Sequence, residues 1–354
     1  MKRHSFFAFC LCFLLLFPTL PRALTARAEE LTQWNGTVEH FFTHSLIAHP
    51  EVAFAPGNSY AYDLDRDCLT PDEFSAILQQ AYDNGYMLVD LSLTYRVTDG
   101  RAERVVFPFP KGKKPLVLSF DDVVYASKNR GRGMADKLVL SDGRILSYTE
   151  HADPQLSAER EFVPILETFI AKHPDFSFRG ARGIICLTGF DGILGYRTQR
   201  DSPDRQAETE RVKPVVQALK QSGWKFACHS YAHGHMKKYT ADKMRDDIRK
   251  WKTEVAPLVG DTQWYVYPYG EWVLGENCSD ERHRVLEEEG FHVFFGVGSE
   301  AFYGKMPLKS KTRVLFIDRS PMDGISLRAR ETSYSRIFRC SQVYDPRRPV
   351  PYSQ

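Results

Sequence analysis

Short apolar runs alternate with longer amphipathic stretches along most of the chain. The apolar runs predict strands, over residues 40–47, 87–93, 115–120, 183–187, 224–228, 264–267, 291–297 and 313–317. The amphipathic stretches predict helices, over residues 71–84, 158–172, 205–221, 241–259 and 280–289. This alternation favours a parallel sheet covered by helices, an α/β fold that we expect to close into a barrel.

The first predicted helix has a capping signal at its start. Thr70 precedes Pro71, and Glu73 stands three residues after the threonine. A threonine and a glutamate at this spacing form a capping box, and proline fits the first helical position because its missing N–H would have no partner there. The helix should therefore begin at Pro71 and stop at Gly85.

We expect one large domain over residues 29–330, because glycine and proline are scattered as turn residues and no repeat is present. Within it, residues 36–110 predict an upstream strand and helix extension. The polar segment 125–158 predicts an inserted hairpin. Residues 331–354 carry no chemical signal and are expected to form a C-terminal tail.

Residues 1–28 resemble a secretory signal in their order of features. Basic residues at positions 2 and 3 precede an apolar run over residues 6–17, and Ala26-Arg27-Ala28 offers a small-residue cleavage site. As a helix the run spans about 18 Å, against about 30 Å for a bilayer core, so a cleaved signal is favoured over a membrane anchor. We expect a secreted or cell-envelope protein without a transmembrane span after cleavage.

The charge balance argues against a nucleic-acid partner. The chain has 47 basic and 45 acidic residues, and four of the basic residues but no acidic one lie within residues 1–28. The remainder therefore carries 43 basic and 45 acidic side chains. Binding to nucleic acid or to anionic lipid requires a clustered basic face, which this near-neutral chain does not suggest.

Three predicted strands end in side chains that can perform chemistry. Asp121 and Asp122 follow one strand, His229 and His233 follow a second, and residues 267–270 follow a third. In a barrel these ends converge at one mouth. A helical turn after the second strand would bring both imidazoles to one side, since they are four residues apart.

Two histidines and one carboxylate form the three-ligand pattern of a catalytic metal site, which leaves a position for water. His235 would point away from such a turn and is not expected to be a ligand. A second carboxylate beside the site can take a proton from the water. The residues therefore predict metal-assisted hydrolysis.

At this point the motifs resemble those of a known family. Residues 119–122, Ser-Phe-Asp-Asp, are similar to the T/S-F-D-D motif of the polysaccharide deacetylases, the NodB-homology or carbohydrate esterase family 4 superfamily. Residues 229–233 are similar to its H-S/T-x-x-H motif, and residues 267–270 to its R-x-P-Y motif. The resemblance covers about residues 36–330 and implies a distorted (β/α) barrel of the NodB-homology type. The segment before Asp121 looks like that of the biofilm poly-N-acetylglucosamine deacetylases.

The resemblance also implies roles for single residues. Asp121 would be the general base, and Asp122, His229 and His233 would bind a divalent metal: zinc first, with cobalt, nickel and manganese also compatible. Tyr269 would help to shape the site, with a neighbouring backbone amide stabilising the oxyanion. The implied activity removes N-acetyl groups from amino sugars of a cell-wall or extracellular polysaccharide, so the expected partner is an N-acetylated glycan.

The chain departs from the family pattern at two positions. Val266 stands where the third motif has an arginine that orients the base. Arg319 is a candidate replacement from a neighbouring strand end, and a surface arginine is the alternative. The family's late L-x-x-H-D motif, whose histidine protonates the leaving amine, has no match because no histidine follows His292. Asp323 is the nearby polar residue that could replace this histidine as the acid, and a structural role in a turn is the alternative.

Four residues are predicted to contact substrate. Tyr267 and Trp272 could stack on sugar rings, and Arg319 and Asp323 lie near the expected mouth. Two other functions stay open at this stage. The same site could hydrolyse O-acetyl esters of glycans, whose better leaving group needs less acid assistance, or the chain could be a catalytically inactive carbohydrate-binding relative.

Overall fold

The computed structural model of the protein describes residues 30–150, 154–275, 278–298 and 314–352, so the predicted leader lies outside the described residues. The strands are β1 Leu31–Trp34, β2 Glu39–His44, β3 Tyr86–Leu88, β4 Tyr95–Thr98, β5 Arg101–Arg104, β6 Phe107–Pro110, β7 Lys114–Asp121, β8 Lys137–Ser141, β9 Arg144–Thr149, β10 Gln155–Ser157, β11 Ile184–Leu187, β12 Lys225–Cys228, β13 Trp264–Val266, β14 Val293–Val297 and β15 Leu315–Pro321.

Helices separate most of these strands. They are α1 Pro50–Ala53, α2 Ala61–Asp67, α3 Pro71–Asp83, α4 Phe162–Lys172, α5 Arg205–Ser222, α6 Ala241–Glu254, α7 Ala256–Val259, α8 Glu281–Glu288, α9 Gly324–Ala329, α10 Glu331–Tyr334 and α11 Cys340–Val343. Within the ranges described, no helix combines the length and the apolar character needed to cross a membrane.

Seven parallel strands form a closed barrel. Their order around the ring is β2, β7, β11, β12, β13, β14 and β15, and β15 pairs again with β2. The short β3 also pairs with β7, along the first half of that strand, and β11 pairs with the second half. The expected distorted (β/α) barrel is therefore confirmed.

Alternation of side-chain direction along the strands creates two apolar layers. Val117, Val266 and Ile317 belong to a cluster inside the barrel. Leu118 and Phe316 belong to a larger cluster between the barrel and its helices. Because neighbouring residues of a strand point to opposite sides, only every second residue at a strand end opens into the barrel mouth.

Several helix bounds follow from local sequence signals. Helix α3 begins at Pro71 with the predicted capping box between Thr70 and Glu73, and Gly85 follows with a φ of +79°. The stretch predicted as one helix over 241–259 is instead divided into α6 and α7 at Val255. Pro257 explains the division, because it has no N–H to donate and clashes with the preceding helical turn.

The predicted strand over residues 87–93 is also shorter than expected. Strand β3 ends at Leu88, and a 3₁₀ turn occupies Leu91–Leu93. The Asp90 side chain accepts a hydrogen bond from the Ser92 amide, at 2.9 Å, and so starts the turn. A short polar side chain that binds the backbone locally thus competes successfully with strand pairing.

The segment 125–158 is larger than a single hairpin. Strands β8 and β9 form the predicted hairpin around Asp142 and Gly143, whose φ values are +48° and +73° as a tight two-residue turn requires. Strand β10 adds a third antiparallel strand on the other edge of β9. The insertion is therefore a small sheet packed beside the barrel.

Two segments at the ends of the expected domain contribute more to the fold than the sequence suggests. Strand β2 lies in the expected upstream extension of the domain and is one of the seven barrel strands. Residues 331–352, expected to be a tail, place Tyr334, Phe338 and Val343 in the outer apolar layer. The described part of that segment is therefore integral to the fold.

Candidate active site

The predicted site residues meet at one mouth of the barrel, where strands β7 and β12 end. Asp121 and Asp122 end β7 and begin the loop after it, and His229 follows β12 directly. His233 lies four residues further on, in an irregular loop. Because the parallel strands share one direction, side chains separated by about 110 residues along the chain become neighbours.

Asp122, His229 and His233 form a compact set of possible metal ligands. One ligand atom from each of them lies within 4.8 Å of the others. Nε2 of His233 is 3.3 Å from the nearer Asp122 oxygen, and Nε2 of His229 is 3.8 Å from the other oxygen. Two imidazoles and one carboxylate are the donor set of an open zinc-type site.

The orientation of His229 and the protonation state of His233 both suit a bound metal ion. Nδ1 of His229 lies 2.9 Å from the carbonyl oxygen of Val266, which only accepts, so this nitrogen donates and the lone pair of Nε2 faces the other ligands. Burial and the neighbouring His229 lower the pKa of His233 to about 4, although Asp122 opposes them. Its ring is therefore neutral at pH 7 and able to bind a metal.

The sequence predicts that a helical turn brings the two histidines together, but residues 229–233 do not form one. Ser230 and His233 instead have left-handed backbone conformations, with φ values of +58° and +50°. The Asp247 carboxylate on α6 holds the loop by accepting hydrogen bonds from the Tyr231 and Ala232 amides, at 2.7 and 3.0 Å. Asp122 also has a positive φ, of +56°. Non-glycine residues avoid this region unless their surroundings impose it, so the ligand geometry is built at a cost in backbone strain.

Asp121 is held by Arg319 and not by the metal ligands. The guanidinium donates to both carboxylate oxygens, at 2.7 and 2.8 Å, and also to the Ser119 hydroxyl at 3.0 Å. Both side chains are buried. Burial raises the pKa of Asp121, but Arg319 and His229 together lower it by more than burial raises it. The net pKa therefore lies below the ordinary value. Asp121 is therefore ionised at neutral pH and fixed in orientation.

The part of the chain that contains the two histidines matches a known protein family. Residues 201–292 match the family model for polysaccharide deacetylase. Over these residues the chain is thus similar to the polysaccharide deacetylases, and we call residues 201–292 the deacetylase segment. This segment includes His229, His233 and Tyr269, whereas Asp121 and Asp122 lie before it. The family resemblance expected from the motifs is confirmed, and the narrower assignment to the biofilm branch stays a prediction.

Several solved structures are similar to the chain at low identity. A Streptococcus pyogenes deacetylase in complex with acetate is 14% identical, with a TM-score of 0.48, over 89% of this chain and 100% of that one. A Bacillus cereus polysaccharide deacetylase is 13% identical, with a TM-score of 0.47, over 86% and 69%. A family 4 pseudoenzyme from Bacillus anthracis is 13% identical, with a TM-score of 0.27, over 49% and 54%. No curated protein matches the chain.

The third motif of the deacetylase segment sends its two tyrosines in opposite directions. Tyr269 is 58% exposed, and its ring centroid lies 4.6 Å from that of His233. Tyr267 is only 1% exposed and packs in the outer layer against Phe294. The prediction that Tyr267 contacts substrate is therefore wrong, because its side chain points toward the helices and away from the barrel mouth.

Two other predicted substrate contacts, Trp272 and Asp323, do not line the cleft beside the candidate ligands. Trp272 stacks on Phe316 in the outer layer, with ring centroids 5.6 Å apart. Asp323 caps α9, where its carboxylate accepts a hydrogen bond from the Ser326 amide at 2.7 Å. The turn role weighed for Asp323 is the observed one, since the carboxylate satisfies a free N–H at the helix start.

Arg319 is likewise unavailable to a substrate, because its side chain is fully buried. Of the two interpretations of this residue, a surface arginine is excluded and contact with the base is observed. His235 lies outside the ligand set, as expected: its ring stacks on Tyr269 and Nδ1 is 2.9 Å from a Glu271 oxygen.

A cleft of about 380 Å³ opens beside Asp122 and His233 of the candidate ligand set. Asp122, His233 and Tyr269 form one side of it. The cleft is also lined by residues that the sequence did not assign to the site, at and within α2, at the end of β2 and in the loop after β7: His44, Tyr60, Asp63, Arg66, Asp67, Lys128 and Asn129. Alternation along β2 was an available signal for His44, since it shares the inward side of that strand with residues 40 and 42.

Proposed function

We propose that the chain is a secreted, metal-dependent hydrolase that removes N-acetyl groups from amino sugars of a cell-wall or extracellular polysaccharide. The main support is one juxtaposition: the ionised carboxylate of Asp121 lies next to the Asp122, His229 and His233 set, 3.9 Å from Nε2 of His229. A base beside an open metal site is an arrangement that can hydrolyse an unactivated amide. The polysaccharide deacetylase match favours an acetylated glycan as substrate.

The three ligands would hold a divalent ion, zinc first, with cobalt, nickel or manganese as substitutes. When bound, such an ion supplies Lewis acidity toward the acetyl oxygen and makes a nearby water more acidic. The role of Asp121 in this proposal is to accept the proton of the attacking water. Arg319 keeps its carboxylate charged and prevents it from turning toward the ligands.

Tyr269 completes the proposed site at its solvent side. Its ring packs edge-on against His233 and flat on His235, with centroids 4.6 and 4.3 Å apart. This contact places the backbone of residues 268–270 beside the ligand set. An amide of that backbone would donate to the oxyanion, where the charge develops.

Export is part of the proposal and depends on residues 1–28. N-terminal sequencing of the protein from the culture medium checks it. A mature chain beginning near Glu29 is the expected result, and an uncleaved chain retained in the cells would contradict secretion.

The test of the activity is acetate release from chitooligosaccharides by the purified, zinc- or cobalt-loaded chain. Asp121→Asn should lose at least about 100-fold of this activity while keeping its metal, because the base is removed and the three ligands are untouched. Asp142→Asn, the same substitution in the exposed turn between β8 and β9, is the matched control and should behave as the wild type. Equal activity of Asp121→Asn and wild type would contradict the proposal.

The second candidate is an O-acetyl ester hydrolase. The absence of a histidine after His292 favours it, since an alcohol leaves with less acid assistance than an amine. Release of acetate from an aryl acetate ester or acetylated xylan, with none from the sugar amide, would support this candidate. Release from neither substrate despite bound metal would instead indicate a carbohydrate-binding relative.

A further inference from the structure

We propose that His44 is the general acid that protonates the leaving amine. This inference rests on the proposed deacetylase function. His44 would take the role of proton donor, for which the missing late motif provides no histidine.

His44 reaches the site from a strand that none of the three motifs includes. It is the last residue of β2, and its Cα pairs with that of Asp121 on the neighbouring β7. Residues paired in this way on parallel strands point to the same side of the sheet, so both face the barrel mouth. The base and the proposed acid are therefore lateral neighbours.

The ring of His44 is fixed with one nitrogen directed away from the backbone. Nδ1 lies 2.7 Å from the carbonyl oxygen of Asp67 at the end of α2. A carbonyl oxygen only accepts, so Nδ1 carries a hydrogen and donates it. This bond fixes the orientation of the ring and leaves Nε2 as the nitrogen that can exchange a proton with substrate.

The position of His44 in the cleft also suits an acid. His44 and His233 are the two histidines that line it among the described residues, and His233 belongs to the ligand set. The other nearby histidines are occupied elsewhere. His40 is buried beneath the base, with Nε2 3.1 Å from the Ser119 hydroxyl, and His235 stacks on the outer side of Tyr269.

The proton balance of the reaction is then complete. Water adds to the acetyl carbon, and Asp121 accepts one proton from it. The C–N bond breaks as the amine nitrogen takes a proton from Nε2 of His44. Acetic acid and the free amine result, and the second proton of the water passes from the acid to the amine, so that acetate and an ammonium sugar leave. Asp121 returns its proton to solvent, and His44 regains one. Water is the only co-reactant.

The experiment compares two leaving groups within one preparation of the metal-loaded chain. His44→Gln should reduce acetate release from chitooligosaccharides by about 100- to 10,000-fold, the usual contribution of a general acid. It should change hydrolysis of 4-nitrophenyl acetate by less than about threefold, because nitrophenolate leaves without a proton. The bound metal, measured by atomic emission, should be unchanged.

The ratio of amide to ester rates decides the inference even if the variant folds poorly, because both rates scale with the folded fraction. His44→Ala provides a second substitution for the same ratio. His173→Gln is the matched control: this half-buried histidine packs on Tyr82, outside the cleft, and its ratio should equal that of the wild type. An equal loss on both substrates, or a lost metal, would overturn the role of His44.

Failure of the proposed function has a different signature. Wild-type protein that releases no acetate from the sugar amide would reject the deacetylase and the acid role together. A wild type active on the amide, with His44→Gln equally active, would reject the acid role alone.

Discussion

The contact between Asp121 and Arg319 concentrates two charges inside the barrel. Each side chain is almost fully buried, and the guanidinium also lies over the Phe42 ring, 4.3 Å from its centroid. A buried charge is tolerated only with a partner, so each of these residues is required by the other. With Asp121 as the proposed base, we expect activity and stability to depend on the same pair.

Removing Arg319 should be costly for folding. We expect Arg319→Gln to lower the free energy of unfolding by about 3–5 kcal/mol, because Asp121 is left as an unpaired buried carboxylate. In the double variant with Asp121→Asn no charge remains unpaired. The free energy of unfolding of the double variant should therefore fall by less than the sum of the decreases in the two single variants, with a difference of about 1–3 kcal/mol.

Urea denaturation of the four proteins without metal measures this coupling. Acetate release should fall at least about 100-fold in both variants that lack Asp121. It should also fall in Arg319→Gln, where the base has lost the partner that orients it. Additive losses in stability would show that the two charges do not depend on each other.

The sequence brought together the four residues of the candidate site but not their environment. Asp121, Asp122, His229 and His233 belong to two short motifs, so neighbouring residues identify them. Arg319 is 198 residues away from Asp121, and only the closed barrel shows that the two side chains meet. His44 belongs to no motif. Alternation places it on the same side of β2 as residues 40 and 42, but its pairing with Asp121 follows only from the strand register.

At the scale of helices and strands, Glu161 occupies an unusual position. Its buried carboxylate precedes α4 and accepts hydrogen bonds from the amides of Phe162, at 2.7 Å, and Leu46, at 3.1 Å. Burial nevertheless outweighs these bonds and raises the pKa of Glu161 to about 8. The carboxyl group is therefore mainly protonated in the folded protein at pH 7.

This pKa predicts a pH-dependent stability. An unfolded glutamate has a pKa of about 4.3, so between about pH 5 and pH 8 the folded state holds the extra proton and its stability falls as the pH rises. We expect the stability of the wild type relative to Glu161→Gln to fall by up to about 1.4 kcal/mol per pH unit in this range.

Urea denaturation at pH 5.5, 6.5 and 7.5 tests this expectation. Glutamine keeps an oxygen for both amides and cannot ionise, and Glu159→Gln at the exposed neighbouring position controls for general charge effects. A difference between Glu161→Gln and wild type that does not vary with pH would mean that the two amides keep the carboxylate charged.

Helix and strand positions were predictable where local chemistry decides them. Thr70, Pro71 and Glu73 mark the start of α3, and Gly223, with a φ of +103°, ends α5. The loop at residues 229–233 was not predictable in this way, because its left-handed residues are imposed by Asp247 from another helix. Local preference alone favours an ordinary turn there.

At the scale of the whole molecule, the segment after α11 holds one wall of the cleft in place. The buried Arg348 guanidinium donates to both oxygens of Glu73, each at 2.7 Å. It also donates to the carbonyl oxygens of Asp65 and Cys68, each at 2.7 Å. Asp65 belongs to α2 and Glu73 to α3, so one side chain joins these two helices to the end of the described chain.

Arg348→Ala should therefore destabilise the protein by about 3–5 kcal/mol, because the Glu73 and Asp65 carboxylates stay buried without this partner. Arg339→Ala is the matched control. Its contact with Glu331 is exposed and 3.7 Å long, so its loss should stay below about 1 kcal/mol. Thermal unfolding of both variants checks the difference, and equal midpoints would contradict it.

No pattern in the sequence indicated this connection. The stretch around Arg348 is rich in proline and charge, and such composition usually predicts a solvated tail. Its partners lie 275 and 283 residues earlier. An arginine that replaces solvent as the partner of buried carboxylates is recognisable only from the folded structure.

The closure of the ring between β15 and β2 also joins two parts of the proposed site. The proposed metal ligands come from β7 and β12 and the loops after them, so β15 supplies none of the three. Arg319 lies on β15, which pairs with β14 on one side and with β2 on the other, and from there it contacts Asp121. A molecule whose ring is open would keep its three proposed ligands and lack the partner of its proposed base. The acetate released per bound ion would therefore measure the fraction of molecules whose ring is complete.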